Sequence, residues 1–454
     1  MKTMKAKKIW HSWLVDINKP KKRTLVIMIF LASLTTQAQT WSLQQCIDTA
    51  QGYNKNLQIS KNNIALADER QKEVKANLIP KISLNADYKY FWDLPYQIMP
   101  QSAFGGQEGQ FKEIQMGVPH NIGTNIQIAL PLYNSQIYGA IQASKIASEL
   151  NELQFQKTEE QVFFEISNLY YNAQILVHQQ EFIESNLTNT TKLLNNLKLL
   201  YSQLMIKKSD VTKVELQKEQ LTTQHELIAN NLEQVMNALK FSMGIPYQQI
   251  IQIDTEVLYK TTTEYSISTP LDLQITYAHN KLLSSELSTL KNSRLPSVSV
   301  FGSYGQTGFG YNVNPNEFLK FYPTTFGGLQ ISVPLFNGTV TKRKINQKKI
   351  EIQNNELQTD LVAEQNKMLI ENAKRKIIVT QQTIENTLGQ INLAKAVYDE
   401  TILQQTEGTA NLTDVLMADN ALREAQQSYL SAVIETLKAD LELKKLTGNI
   451  SLKN

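Results

Sequence analysis

The chain has 454 residues, 42% hydrophobic, 19% charged and 8% aromatic: enough for a large core, and too polar for a polytopic bundle of transmembrane helices. The formal charge of +3 is misleading, because residues 1–39 hold eight Lys/Arg against Asp16, and removing that +7 leaves −4, which excludes a basic nucleic-acid surface. The single cysteine, Cys46, excludes an intramolecular disulfide and any cysteine-based metal cluster.

At the N-terminus, Lys21-Lys22-Arg23 precedes an apolar run from Thr24 to Leu34 and the small-residue site Thr36-Gln37-Ala38. This pattern predicts an export signal over 1–39, with the mature chain starting near Gln39 or Thr40. The run is too short to span a bilayer. Cys46 follows Gln44-Gln45 well beyond the cleavage site, so it reads as a buried small residue near a helix start rather than a lipid acceptor. Past the signal no stretch approaches eighteen consecutive apolar residues. An exported chain of this kind can enter a membrane only as a β-barrel.

Four landmarks then occur twice in the same order. Leu78-Ile79-Pro80-Lys81-Ile82-Ser83-Leu84 returns as Arg294-Leu295-Pro296-Ser297-Val298-Ser299-Val300, and Pro131-Leu132-Tyr133-Asn134 returns as Pro334-Leu335-Phe336-Asn337. Ser209-Asp210-Val211 returns as Thr413-Asp414-Val415, and Gly244 matches Gly448. The offsets predict an internal two-fold repeat. In chain order the expected elements are an N-terminal helix (40–79), a strand pair (80–132) with an external loop (93–121), a long helical hairpin (135–244) and a linker (245–270). The second set is a helix (271–295), a strand pair (296–335) with an external loop (306–324), a second long hairpin (338–448) and a tail (449–454).

The hairpins rest on composition and period. Residues 140–243 contain neither Gly nor Pro, and 339–447 contain only Gly389 and Gly408. From Val211 an apolar seam steps by three and four through Val214, Lys218, Leu221, His225, Ile228, Leu232, Val235 and Leu239. Its counterpart runs Val415, Ala418, Leu422, Ala425, Tyr429, Ala432, Thr436, Ala439 and Leu443. Such heptads are those of coiled coils, and rods of roughly 100 Å are expected. Ser209 and Thr413 are the expected N-caps of the returning helices, with Asp210 and Asp414 in their first turns.

Between the prolines the period becomes two. Ile82, Leu84, Ala86, Tyr88 and Tyr90 alternate with Lys81, Ser83, Asn85, Asp87 and Lys89, and Ile122, Thr124, Ile126, Ile128 and Leu130 alternate with Gly123, Asn125, Gln127 and Ala129. Val298 and Val300, then Leu329, Ile331 and Val333, alternate in the same way. Four strands with an apolar face and a polar face match a transmembrane barrel. Four cannot close one, so several chains must share it, and two, three or four copies would give 8, 12 or 16 strands. Tyr88, Tyr90, Trp92, Tyr304 and Phe326 are expected to form its aromatic girdle.

The ordered, duplicated set of Leu-x-Pro, strand pair, Pro-Leu-aromatic-Asn, long helix, Asp-Val turn, long helix and Gly resembles the TolC-like outer-membrane efflux protein family across nearly all of the mature chain. The resemblance implies an α+β membrane protein, with long antiparallel coiled-coil hairpins forming an α-barrel and four strands per chain in a shared trimeric β-barrel. It further implies a homotrimer in outer-membrane lipid, a periplasmic adaptor and an inner-membrane RND or ABC transporter as partners, and a role as a passive exit duct for efflux or type I secretion. Family members that carry the pore-constricting turn read roughly Gly-Thr-x-x-x-x-Asp-Val-Leu-Asp-Ala. Here Gly408-Thr409-Ala410-Asn411-Leu412-Thr413-Asp414-Val415-Leu416-Met417-Ala418 keeps the first aspartate as Asp414 and replaces the second by Met417. Ala410 stands where some members have a latching arginine. Asp414 and Met417 are the expected periplasmic gate, and Ser209 and Asp210 the adaptor-facing tip.

His225 on the apolar seam reads as a packed core histidine, and Gly302, Gly305, Gly308 and Gly310 as a loop or barrel rim rather than a phosphate site. No nucleophile–base set or metal spacing is present, so neither catalysis nor a cofactor is expected. The competing reading is an exported or cytoplasmic coiled-coil scaffold, which explains the heptads but not the alternating strands.

Overall fold

The computed structural model describes residues 40–257, 268–310 and 320–449. The expected export signal lies outside them, as do 258–267 of the linker, 311–319 of the second loop and 450–454 of the tail.

The chain opens with a two-residue strand, β1 (Thr40–Trp41), and then α1 (Leu43–Tyr53), which Ser42 starts through a reciprocal capping box with Gln45. Helix α2 (Lys55–Ala76) follows directly. The helix expected over 40–79 is therefore two helices. Asn54 breaks it because its extended backbone lets the side chain accept from Leu57 N–H and cap α2. Next come β2 (Lys81–Tyr90), β3 (Tyr96–Pro100), β4 (Phe111–Gln115) and β5 (His120–Tyr133). The expected external loop 93–121 thus contains a hairpin of its own, β3 paired with β4.

The first long hairpin is α3 (Ser135–Ser202) and α4 (Lys208–Met243), followed by β6 (Gln252–Ile253), which pairs in parallel with β1. Helix α5 (Leu271–Asn292), strands β7 (Ser297–Gly310) and β8 (Phe321–Ser332), and the hairpin α6 (Val340–Thr406) and α7 (Leu412–Leu446) complete the chain. At about 1.5 Å per residue, the 68 residues of α3 and the 67 of α6 give rods of roughly 100 Å.

Two short helices lie end to end along each rod: α4 and α2 against α3, and α7 and α5 against α6. The joints are tight. Gly244 ends α4 at φ +76°, and a Cβ there would lie 2.2 Å from Tyr53 O, while Asn54 Nδ2 donates to Ser242 O at 2.6 Å. A left-handed glycine is what lets α4 stop against the start of α2. At the other joint Ser268 N–H donates to Thr447 O at 3.1 Å, just ahead of α5.

The expected N-caps Ser209 and Thr413 are instead the second residues of α4 and α7. Asn411 caps α7 because its amide oxygen reaches the Asp414 N–H, which moves the helix start two residues upstream. Lys207 occupies the matching position before α4 and makes no side-chain cap. Leu204 and Leu388 are exposed; Leu204 sits in the turn itself.

The strands form one open sheet in the order β2-β5-β7-β8, every neighbour antiparallel. Gly302, Gly305, Gly308 and Gly310, expected in a loop or rim, lie within β7. Bulky neighbours explain some of them: a Cβ on Gly308 would come 2.8 Å from the Phe321 ring, and one on Gly305 would reach 3.0 Å from Thr124 O.

Candidate functional site

At the tip of the second hairpin, Gly408 adopts φ +77°, with Gly408 N–H on Gln405 O at 3.1 Å and Thr409 N–H on Gln404 O at 2.9 Å. This is a Schellman ending, for which glycine is the natural residue. Helix α7 then starts with a capping box: Asn411 N–H donates to Asp414 Oδ2 at 2.9 Å and Asp414 N–H donates to Asn411 Oδ1 at 3.1 Å. Asp414 is exposed, and Met417, 64% exposed, lies on the same face one turn further on. The two expected gate residues are therefore adjacent, and Asp414 has a structural task besides.

The first tip has the same backbone and different side chains. Leu204 takes the left-handed position at φ +59°, with Leu204 N–H on Tyr201 O and Met205 N–H on Leu200 O. Asp210 lies 3.9 Å from Lys213. Ser209 is exposed beside it.

Above the tips α7 carries two seams. The expected one, with Val415, Ala418, Leu422, Ala425 and Leu443 buried, packs on α6. The second faces the first hairpin. Leu412 and Leu416 pack on Leu194, Leu197, Val211 and Val214, and farther up Leu430, Val433 and Leu437 join Ile175. Between these apolar zones the same stripe reads Asp419, Arg423 and Gln426. Gln217 Nε2 donates to Asp419 Oδ2 at 2.5 Å, Arg423 lies 2.8 Å from the same carboxylate, and Asn186 Nδ2 donates to Gln426 at 3.4 Å. Asp419 is only 6% exposed, and burial raises its carboxyl pKa, partly offset by Arg423 and Gln217. Sequence reading missed this group, although the stripe 412-416-419-423-426-430-433-437 repeats every three and four residues.

In the sheet, register decides which side chains share a face, because directly paired residues point the same way. Leu84, Ile126, Tyr304 and Thr325 form one row, Ile82 and Ile128 the next, and Tyr88 and Ile122 another, all on the apolar face. From Val298 to Gly308 that face spans roughly 34 Å of strand, or about 26 Å at barrel tilt, close to the outer-membrane apolar band. Tyr88 and Tyr90 gather at its upper end around His120, whose Nδ1 is 2.7 Å from the Tyr88 hydroxyl, and the Trp92 ring meets Tyr90 edge-on. Phe326 does not belong to this girdle. It pairs with Ser303 on the polar face and packs against Phe301, a consequence of its even-numbered position in β8.

Elsewhere, Cys46 is fully buried and its thiol is pushed up to about 12, consistent with a packing residue. His225 is half-buried on α4, 3.3 Å from Glu184. Among the described residues no group of His, Cys, Asp and Glu could hold a metal ion. No described helix is long and apolar enough to cross a membrane.

With its long rods on a small antiparallel sheet, the chain is similar to solved outer-membrane channels. The chain is 18% identical over 450 residues to the outer membrane protein TolC of Salmonella enteritidis, covering 94% of this chain and 86% of that protein. It superposes on the outer membrane protein VceC of Vibrio cholerae with a TM-score of 0.71 at 15% identity, covering 89% of this chain and 96% of that one. For the CmeC outer membrane channel of Campylobacter jejuni the TM-score is 0.73 at 14% identity, covering 91% and 87%. No family model matches the chain. In sequence it resembles TolC, and in fold the solved outer-membrane channels, over nearly its whole length.

Proposed function

We propose that this outer-membrane, TolC-like protein is the exit duct of a tripartite efflux or type I secretion system, with no catalytic role of its own. The observation that carries the reading is the open sheet. Its edge strands β2 and β8 run antiparallel to each other and both lack an outer partner among the described residues, so β8 of one copy can pair with β2 of the next without breaking the alternation. One face is apolar over about a membrane's thickness. The roughly 100 Å helices continue from the other end of the strands, as a conduit through the periplasm requires.

In this reading three copies supply twelve strands, and each copy contributes two repeats of the same plan. The polar face lines the lumen. Asp414 and Met417 line the periplasmic end of the pore, where three converging carboxylates would repel one another and draw in cations. The first tip, with Ser209 and Asp210, meets a periplasmic adaptor, and an RND or ABC transporter of the inner membrane supplies the energy. The mass of the detergent-extracted particle tests this. About three chains' worth of protein from the outer-membrane fraction supports the shared barrel, and a monomer in the soluble fraction sinks it in favour of a coiled-coil scaffold.

A further inference from the structure

The polar face of the sheet changes character between the two repeats. On β2 and β5 it carries only small, amide and charged side chains, from Lys81 to Lys89 and from Asn121 to Ala129. On β7 and β8 the same face carries aromatic rings: Phe301 pairs with Gly328, Phe326 with Ser303, Tyr322 with Thr307 and Phe309 with Asn121. They stand as two pairs, Phe301 and Phe326 with ring centres 6.3 Å apart, and Phe309 and Tyr322 6.0 Å apart. Phe301 has a packing task, since a Cβ on Gly328 would meet its ring at 3.0 Å. The other three stay open to solvent: Phe326 is 54% exposed, Tyr322 55% and Phe309 41%. The sheet does not demand such rings, because the first repeat builds the same strands without them. At the outer end Phe309 also lines a cavity of about 400 Å³ at the root of the first external loop, with Phe91, Leu94, Met116 and Val118. Asn121 supplies the polar side chain of that lining, and no charged side chain is among the described residues there. This volume and lining suit a small molecule built on a few flat apolar rings.

We propose that the lumen face of β7 and β8 is a binding track for small molecules that carry flat apolar rings. Phe301 and Phe326 form its inner station, Phe309 and Tyr322 its outer one, and the cavity beside Phe309 the last hold before the exterior. The proposal rests on the reading that the polar face lines the lumen, and it names a class of cargo for that duct. Roughly 13 Å of strand separates the Ser303 row from the Thr307 row, so a two-ring molecule leaves one station before it fills the next. Conduction needs binding of this kind, divided among weak sites rather than gathered in one. Three copies place three aromatic strips around one lumen, alternating with the polar strips of β2 and β5.

The test uses the purified full-length protein in planar bilayers, with naphthalenesulfonate added on the barrel side. Methanesulfonate, of the same charge and without a ring, is the control. Naphthalenesulfonate should reduce the current through open channels at concentrations where methanesulfonate does not. Phe326→Ser and Tyr322→Ser, which copy the polarity of the first repeat, should each raise the half-blocking concentration about fivefold. Phe326→Tyr keeps the ring and should leave that concentration within about twofold of the unmodified protein's. A ring that only packs the sheet would lower the melting temperature on replacement and leave block unchanged. Equal block of the unmodified protein and both serine variants overturns the track, as does methanesulfonate block as strong as that by naphthalenesulfonate. If no preparation conducts, it is the conduit reading that fails. The track is then read by equilibrium dialysis of naphthalenesulfonate against the protein in lipid nanodiscs: about fivefold weaker binding to Phe326→Ser supports it, and unchanged binding refutes it.

Discussion

The two hairpin tips share a backbone and divide the chemistry. Each long helix ends in a Schellman turn with a left-handed residue, and each returning helix places an aspartate at its third position. In the second tip every local choice agrees with that backbone: Gly408 at the left-handed residue, Asn411 at the cap and Asp414 closing the box. In the first, Leu204 is strained and 89% exposed, and Lys207 caps nothing. The returning helices differ in burial too, because α7 packs on both α6 and the first hairpin, whereas many of the matching positions on α4 face outward. One tip is built to stay ordered. The other exposes apolar side chains and carries local strain.

The sharpest way to break the comparison is Leu437→Ala. This side chain joins α7 to the first hairpin, so denaturant unfolding of the extracted protein should show a loss of about 2–5 kcal/mol. Its counterpart on α4, Glu233, is exposed, and Glu233→Ala should change stability by less than about 0.5 kcal/mol. Next, Asn411→Ala should cost about 1 kcal/mol at the second tip, whereas Lys207→Asn should stabilise the first by a similar or smaller amount, measured as protease nicking at each turn. Smaller again, Leu204→Gly should stabilise by several tenths of a kcal/mol and Gly408→Leu should destabilise by roughly 1 kcal/mol, read in the same nicking assay. The smallest expected effect is a pH slope. Asp419 has a raised folded-state pKa, so its contribution to stability is fully present below the ordinary carboxylate range and is lost as pH rises through the raised value. Melting curves across that window should be flatter for Asp419→Asn.

Much of this architecture is legible in the chain. A stretch without Gly or Pro marks α3 and α4, one without Pro and with only Gly389 and Gly408 marks α6 and α7, and the heptad from Val415 to Leu443 falls mostly on buried positions. Alternation marks the strands. The errors fall where a local pattern has two solutions. Thr413 and Asn411 are both competent caps, and only the reach of the Asn411 oxygen to Asp414 N–H selects one. Residue type alone groups Phe326 with Tyr304, yet the pairing of Ser303 with Phe326 places it on the opposite face, since a strand's faces alternate with every residue.

The polar group around Asp419 teaches the same lesson from the other side. A stripe stepping by three and four through Leu412, Asp419 and Leu430 can be read from the sequence, but polar residues inside a stripe read equally well as a solvated face. Helix, strand and turn follow from periods and punctuation, which act between residues a few positions apart. Which stripe of α7 meets which neighbour, and whether Asp419 sits in water or between two hairpins, depends on Gln217, two hundred and two residues away. Burial at that separation is set by how the long helices pack side by side, and no local pattern encodes it.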